Sequence, residues 1–239
     1  LKGSYLCEKA ADYGIQSMDT PPYEVLSTKW ISYGEILRLK QAEEMLELYY
    51  NSNQFLYTLP ILQTAFPDAC AMYLGLSDFY REKGYFLSSP SRSYRYRALL
   101  DFATGTELPV EPEADTSEWK EILRQALTFD LYLRENMKSR PDFARELSPY
   151  KQAIHDFYRK EEENRHYLPG YVGYDGRQLG KMTHMEVFDH PVWEKDVRRR
   201  MQKLKLPCMV LFDYRVRNAL TYEARYVVIP MDGERISDR

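Results

Sequence analysis

The spacing of apolar residues changes at Pro169, and that change limits the folds open to this chain. Before it, apolar side chains recur three and four apart. Ile36, Leu39, Ala42, Leu46, Tyr49 and Tyr50 fall on one side of a helix opened by a Ser32/Glu35 capping box. After it, Gly170, Gly173, Gly176 and Gly180 mark a loop, and residues 183–189, 208–215 and 222–230 move towards period two. Asn218 lies between the last two of these strands, which predicts an antiparallel hairpin. The expected class is α+β, predominantly α-helical with a small C-terminal antiparallel sheet of about three strands.

Punctuation divides the helical part. Residues 5–13 read as a short helix stopped by Gly14. Pro21 and Pro22 make 19–26 an extended connector. Asn51 to Asn53 end the capping-box helix; helices near 54–65 and 68–83 follow, separated by Pro67, the second closed by Gly84. A loop around Pro90 precedes a helix over 94–103. Residues 105–117 form a linker stiffened by Pro109 and Pro112 and solvated by Glu107, Glu111, Glu113 and Asp115. A helix spans 117–138, and Ser148-Pro149 opens another to about 165. A short basic helix over 191–204 bridges the first two strands. The division read is 1–26, a helical body over 27–168, and a smaller α+β subdomain over 169–239.

A chain of 239 residues can bury roughly 70–75% of its unfolded surface, so neither disulfides nor metals are needed to hold it together. No apolar run approaches the roughly 20 residues of a membrane helix, and no membrane partner is expected. The net charge of −3 supplies no global basic field, which argues against nucleic acid. Cys7, Cys70 and Cys208 are too scattered for a disulfide framework or a zinc site. They fit a reducing cytosol, with inert buried thiols as the usual case, so the expected location is cytoplasmic. Leu1 in place of Met is read as the start of a piece cut from a longer protein. Phosphate-cradling glycine loops, Gly-x-Ser-x-Gly and His-Glu-x-x-His are all missing from the sequence, and no catalytic residue is assigned.

Four groups of residues carry candidate chemistry. Asp130 falls within an apolar stripe of Trp119, Ile122, Leu123, Ala126, Leu133 and Met137. A carboxylate there must be paired, hydrogen-bonded or protonated. It either reaches a pocket, or forms a structural ion pair or a tyrosine hydrogen bond inside the core, with one of the arginines at 92–97 as a candidate partner. Arg92, Arg95 and Arg97, interleaved with tyrosines, are candidate anion or substrate contacts, or simply serve acidic faces of their own domain. Lys195, Arg198, Arg199, Arg200, Lys203 and Lys205 read as a solvated helix face. His184, Glu186, Asp189 and His190 lie close in sequence; His184 and Glu186 share a strand face, and with His190 they are weak metal candidates, but the spacing matches no established metal motif, so no metal is assigned.

One resemblance goes further. Leu1-Lys2-Gly3-Ser4 with Leu6, then Ala11-Asp12-Tyr13-Gly14-Ile15, resembles the exit from a radical S-adenosylmethionine (radical SAM) barrel. The continuation from Pro21-Pro22-Tyr23-Glu24-Val25-Leu26 to Ser32, and from Leu39-Lys40 to Tyr49-Tyr50-Asn51-Ser52, resembles the C-terminal domain of radical SAM proteins that carry a cobalamin-binding domain. The resemblance covers the first fifth to quarter of the chain. It implies that residues 1–26 are the barrel's tail and connector. It also implies an upstream barrel and cobalamin-binding domain as partners in the same chain. The parent's cofactors would then be a four-iron four-sulfur cluster, S-adenosylmethionine and cobalamin. The Cys-x3-Cys-x2-Cys loop and the cobalamin histidine motif of that family are missing here, so none of its catalytic residues transfers and no cofactor is expected within these residues. The implied role is a non-catalytic accessory domain that covers the barrel or helps to bind substrate. The alternatives are an RNA- or phosphosubstrate-binding module built on residues 91–97, or an interdomain or dimerisation scaffold.

Overall fold

The computed structural model describes residues 3–111 and 115–231; Leu1, Lys2, Pro112 and Glu113 of the readings above lie outside them. Helices along the chain are α1 (Tyr5–Glu8), α2 (Tyr33–Met45), α3 (Thr58–Gln63), α4 (Ala69–Glu82), α5 (Tyr85–Ser88), α6 (Arg92–Gly105), α7 (Thr116–Arg134), α8 (Lys151–Glu163), α9 (Gly176–Met182) and α10 (Val197–Arg200). Strands are β1 (Gln16–Ser17), β2 (Val25–Ser27), β3 (Thr183–Phe188), β4 (Cys208–Arg217) and β5 (Ala224–Pro230). The fold is α+β, mainly helical, with a three-stranded antiparallel sheet towards the C-terminus. Among the described residues no helix is long and apolar enough to cross a membrane. The chain divides into two compact units, Leu1–Asn51 with Asp68–Ser89, and Ser52–Pro67 with Pro90–Arg239.

In the first unit the local signals operate as read. Ser32 Oγ accepts from the Glu35 amide at 3.3 Å, and the Glu35 carboxylate accepts from the Ser32 amide at 2.8 Å. Both orphan donors at the start of α2 are thereby satisfied. A π-helical turn, Leu46–Asn51, carries α2 to the predicted stop. Gly14 and Gly84 take left-handed φ values of +60° and +68°, which a side chain resists. The helix expected over 5–13 ends at Glu8 and continues as turns: it buries no residue, so nothing offsets the cost of helix nucleation. The core of this unit is small. Met45, Tyr49, Met72, Tyr73, Leu76 and Tyr80 are its buried apolar residues. The hydroxyls of Tyr49 and Tyr80 lie 2.5 Å apart, with the rings edge-on at 6.0 Å.

In the second unit the sheet, in the order β3-β4-β5, is covered on both faces. Met185, Val187, Met209, Leu211, Val227 and Ile229 meet Phe157 of α8, Leu179 of α9, Leu168 and Tyr171. The opposite face meets α7, where the Phe129 ring centroid is 5.9 Å from Phe188, 5.4 Å from Phe212 and 5.1 Å from Tyr226. Double coverage explains why the first part of β4, Cys208 to Phe212, reads as an unbroken apolar run, and why β3 is buried along nearly its whole length although it carries Thr183, His184 and Glu186.

Several boundaries differ from expectation for tertiary reasons. The helix read over 117–138 starts on Asp115, whose carboxylate caps Ser117 at 2.9 Å. It stops at Arg134 because side chains from the sheet satisfy its last carbonyls. Tyr214 Oη donates to the Tyr132 and Glu135 carbonyls at 2.9 and 3.1 Å, and Arg217 donates to the Arg134 carbonyl at 3.1 Å. Part of the glycine-rich segment, read as loop, is helix α9. A capping box between Asp175 and Gln178 opens it, with bonds of 2.8 and 2.9 Å. The basic helix read over 191–204 shrinks to α10.

Candidate functional site

Asp130 is sealed on α7 at 1% exposure. Its carboxylate accepts from the Tyr57 amide at 3.1 Å, the Thr58 amide at 2.8 Å and the Thr58 hydroxyl at 2.7 Å. The acceptor therefore caps the N-terminus of α3, a position that favours negative charge. Desolvation pushes its pKa up to about 7, while the Thr58 and Tyr57 bonds and the charge of Arg200 pull the other way. The acting cation is thus Arg200 rather than an arginine of 92–97. Arg200, read as part of a solvated face, is 5% exposed. It donates to the Tyr57 carbonyl at 2.9 Å and lies 5.0 Å over the Tyr57 ring. Of three consecutive arginines on a helix, at least one must face inward when the helix packs; that was the available signal.

Arg92, Arg95 and Arg97 do not form one patch. They sit on helix α6, where 100° per residue sends Arg95 and Arg97 to nearly opposite sides. Arg92 pairs with Glu135 at 3.0 Å, and Arg95 is half-buried. Arg97 pairs with Asp101 at 2.8 Å and Asp142 at 2.5 Å, bonds that hold its pKa above the ordinary guanidinium value. Arg97 lines an open cleft of 740 Å³ together with Lys120, Arg124, Arg145, Glu121 and Glu146. Its arginines are largely neutralised by neighbours: Arg124 by Glu121 at 2.8 Å, and Arg145 by a two-pronged pair with Asp189. Paired charges of this kind leave little field for an anion.

β3 brings His184 and Glu186 together as the strand period requires. His184 Nε2 is 2.6 Å from Glu186 Oε1. Glu186, 1% exposed, is also held by both terminal nitrogens of Arg140, one at 2.8 Å. The His184 ring stacks on Tyr132 at 3.7 Å. Arg140 and Tyr132 come from distant segments and carried no signal in the sequence. His190 lies elsewhere. Its Nε2 is 3.5 Å from Glu118, fourteen residues before Tyr132 on the same helix, a separation of roughly 21 Å. Burial pushes the His190 pKa down, against the pull of Glu118. The Gln125 side chain fixes this turn by accepting from the Asp189 and His190 amides at 3.0 and 3.2 Å.

Among the described residues no three of His, Cys, Asp and Glu converge as metal ligands. Cys7 and Cys70 are exposed, contrary to the buried thiols expected, and Cys208 is buried on β4. These donors do not fit an iron–sulfur cluster, which needs grouped thiolates. The family described as a protein of unknown function, DUF4080, matches residues 11–212. No curated protein and no solved structure gives a significant match.

Proposed function

Since the chain belongs to that DUF4080 family, we propose for it the role of a non-catalytic accessory domain in a cobalamin-binding radical SAM enzyme. In this reading it covers the barrel or helps to present substrate, and the cluster, S-adenosylmethionine and cobalamin are held upstream. A radical intermediate needs shielding from water and side reactions, and a folded cover supplies that.

The observation that carries the reading is the surface of the first unit. The segment that resembles the barrel exit and connector leaves Tyr5, Leu6, Tyr23, Trp30 and Tyr33 between 57% and 65% exposed. Large apolar side chains gathered in one segment mark an interaction surface more often than a free one. The dispersal of Arg92, Arg95 and Arg97 gives no comparable support to a nucleic-acid or phosphosubstrate module.

Two measurements test the proposal. The reading frame upstream of Leu1 is expected to encode a Cys-x3-Cys-x2-Cys loop; a stop codon or an unrelated domain there ends the idea. The upstream region, expressed separately, is expected to bind this chain in analytical ultracentrifugation, and Trp30→Ser with Tyr33→Ser to weaken that binding. Self-association of the isolated chain through the same residues, with no affinity for the upstream region, would instead indicate a dimerisation scaffold.

A further inference from the structure

A smaller pocket in the second unit is built from opposite charges. Its volume is about 340 Å³, near the lower end of the roughly 300–1,000 Å³ of small-molecule sites. One wall is the turn Leu168–Tyr171. The other is the irregular part of β4, where the register with β5 breaks between Asp213 and Arg217. Extra residues in one strand bend it and re-aim its side chains, and here Val216 joins Leu168 and Pro169 in the lining.

Asp213 lies in this lining at 3% exposure. Its Oδ1 accepts from the Tyr171 hydroxyl and, at 3.1 Å, from the Arg215 amide. Its Oδ2 takes no hydrogen bond among the described residues. Asp213 lines the pocket, so the lone pairs of this oxygen remain available to a donor placed there. Arg215 and Arg225 line the same pocket, and neither has a carboxylate ion-pair partner among the described residues. Arg215 donates to the Gly170 carbonyl at 3.3 Å and lies over the Tyr171 and Tyr174 rings at 5.4 and 5.8 Å. Arg225 stands directly across the ladder from Asp213, which puts their Cα atoms roughly 5 Å apart.

We propose that this pocket binds a free α-amino acid with an apolar side chain. The ammonium would donate to Asp213 Oδ2, the carboxylate would accept from Arg215 and Arg225, and the side chain would rest on Leu168, Pro169 and Val216. A simple anion would sit against the Asp213 carboxylate, and a simple amine would face two guanidiniums. A zwitterion answers both charges. The inference does not depend on the accessory role proposed above.

Isothermal titration calorimetry on the 239-residue chain tests it with L-alanine, L-valine, L-leucine and L-methionine, and with N-acetyl-L-leucine and L-leucinamide as blocked probes. At least one free amino acid is expected to bind, and either block on leucine to weaken binding roughly 10–100-fold, the loss of one charged hydrogen bond. Arg225 is exposed, so Arg225→Ala is expected to keep the circular dichroism spectrum and unfolding midpoint while weakening binding roughly 10-fold. Asp213→Asn provides a second variant of the ammonium partner. No heat from any free amino acid up to about 10 mM, well above common metabolite-site affinities, would overturn the proposal. So would equal binding of the blocked probes, or an unchanged affinity in a folded Arg225→Ala.

Discussion

Trp30, Tyr33, Leu37 and Leu39 of the first unit stand open to solvent, whereas Phe129, Phe188 and Phe212 of the second are closed off by one another. Among the described residues, the smaller unit carries twelve of the twenty-one exposed large apolar side chains. Its interior rests on two methionines, one leucine and three tyrosines. The larger unit places one helix against a sheet whose other face is also covered. The difference lies in how each unit divides its apolar side chains between its own core and solvent. A unit of this size buries less of its surface and has fewer contacts to lose.

The sharpest way to break this comparison is Phe129→Ala. Phe129 touches three rings from three strands, and its loss is expected to cost about 3–5 kcal/mol in urea unfolding; a change below about 1 kcal/mol would contradict a closed core around it. Asp130→Asn acts in the same unit through pH. Burial raises the folded carboxyl to about 7, above an unfolded value of about 3.9. The folded state therefore holds a proton that the unfolded state has released. The stability contributed by Asp130 is greatest at low pH and falls as pH rises from about 4 to about 7, by up to about 1.4 kcal/mol per unit. Unfolding midpoints are expected to shift in favour of the variant over that window, and a flat difference would refute the assignment. Tyr80→Phe removes one hydroxyl from the first unit and is expected to cost about 1 kcal/mol, read by hydrogen exchange of α2 and α4. Arg97→Gln breaks exposed ion pairs and is expected to change stability by less than about 1 kcal/mol, diminishing further in salt.

Local chemistry was readable without a structure. The Ser32/Glu35 box, the left-handed Gly14 and Gly84, the stop after Asn51 and the hairpin around Asn218 each depend on neighbours within a few residues. The buried position of Asp130 was legible from the helical wheel, but its partners were not. Thr58 lies 72 residues away and Arg200 lies on a different helix, so no periodicity links them. Arginines 92, 95 and 97 read as a cluster from their closeness in sequence; the geometry of the helix expected over 94–103 already sends Arg95 and Arg97 to nearly opposite sides. The pocket at Asp213 went unread because it depends on a break in strand register, which leaves no composition signal.

The interleaving of the two units has a consequence for how the molecule is made and dissected. Residues 52–67 belong to the second unit but lie between the two segments of the first. Helix α3 thus leaves the ribosome long before the carboxylate that caps it, and must wait for about seventy further residues to be translated. A single cut in the gene cannot release either half intact, so any truncation series on this chain should preserve both crossings or expect insoluble products.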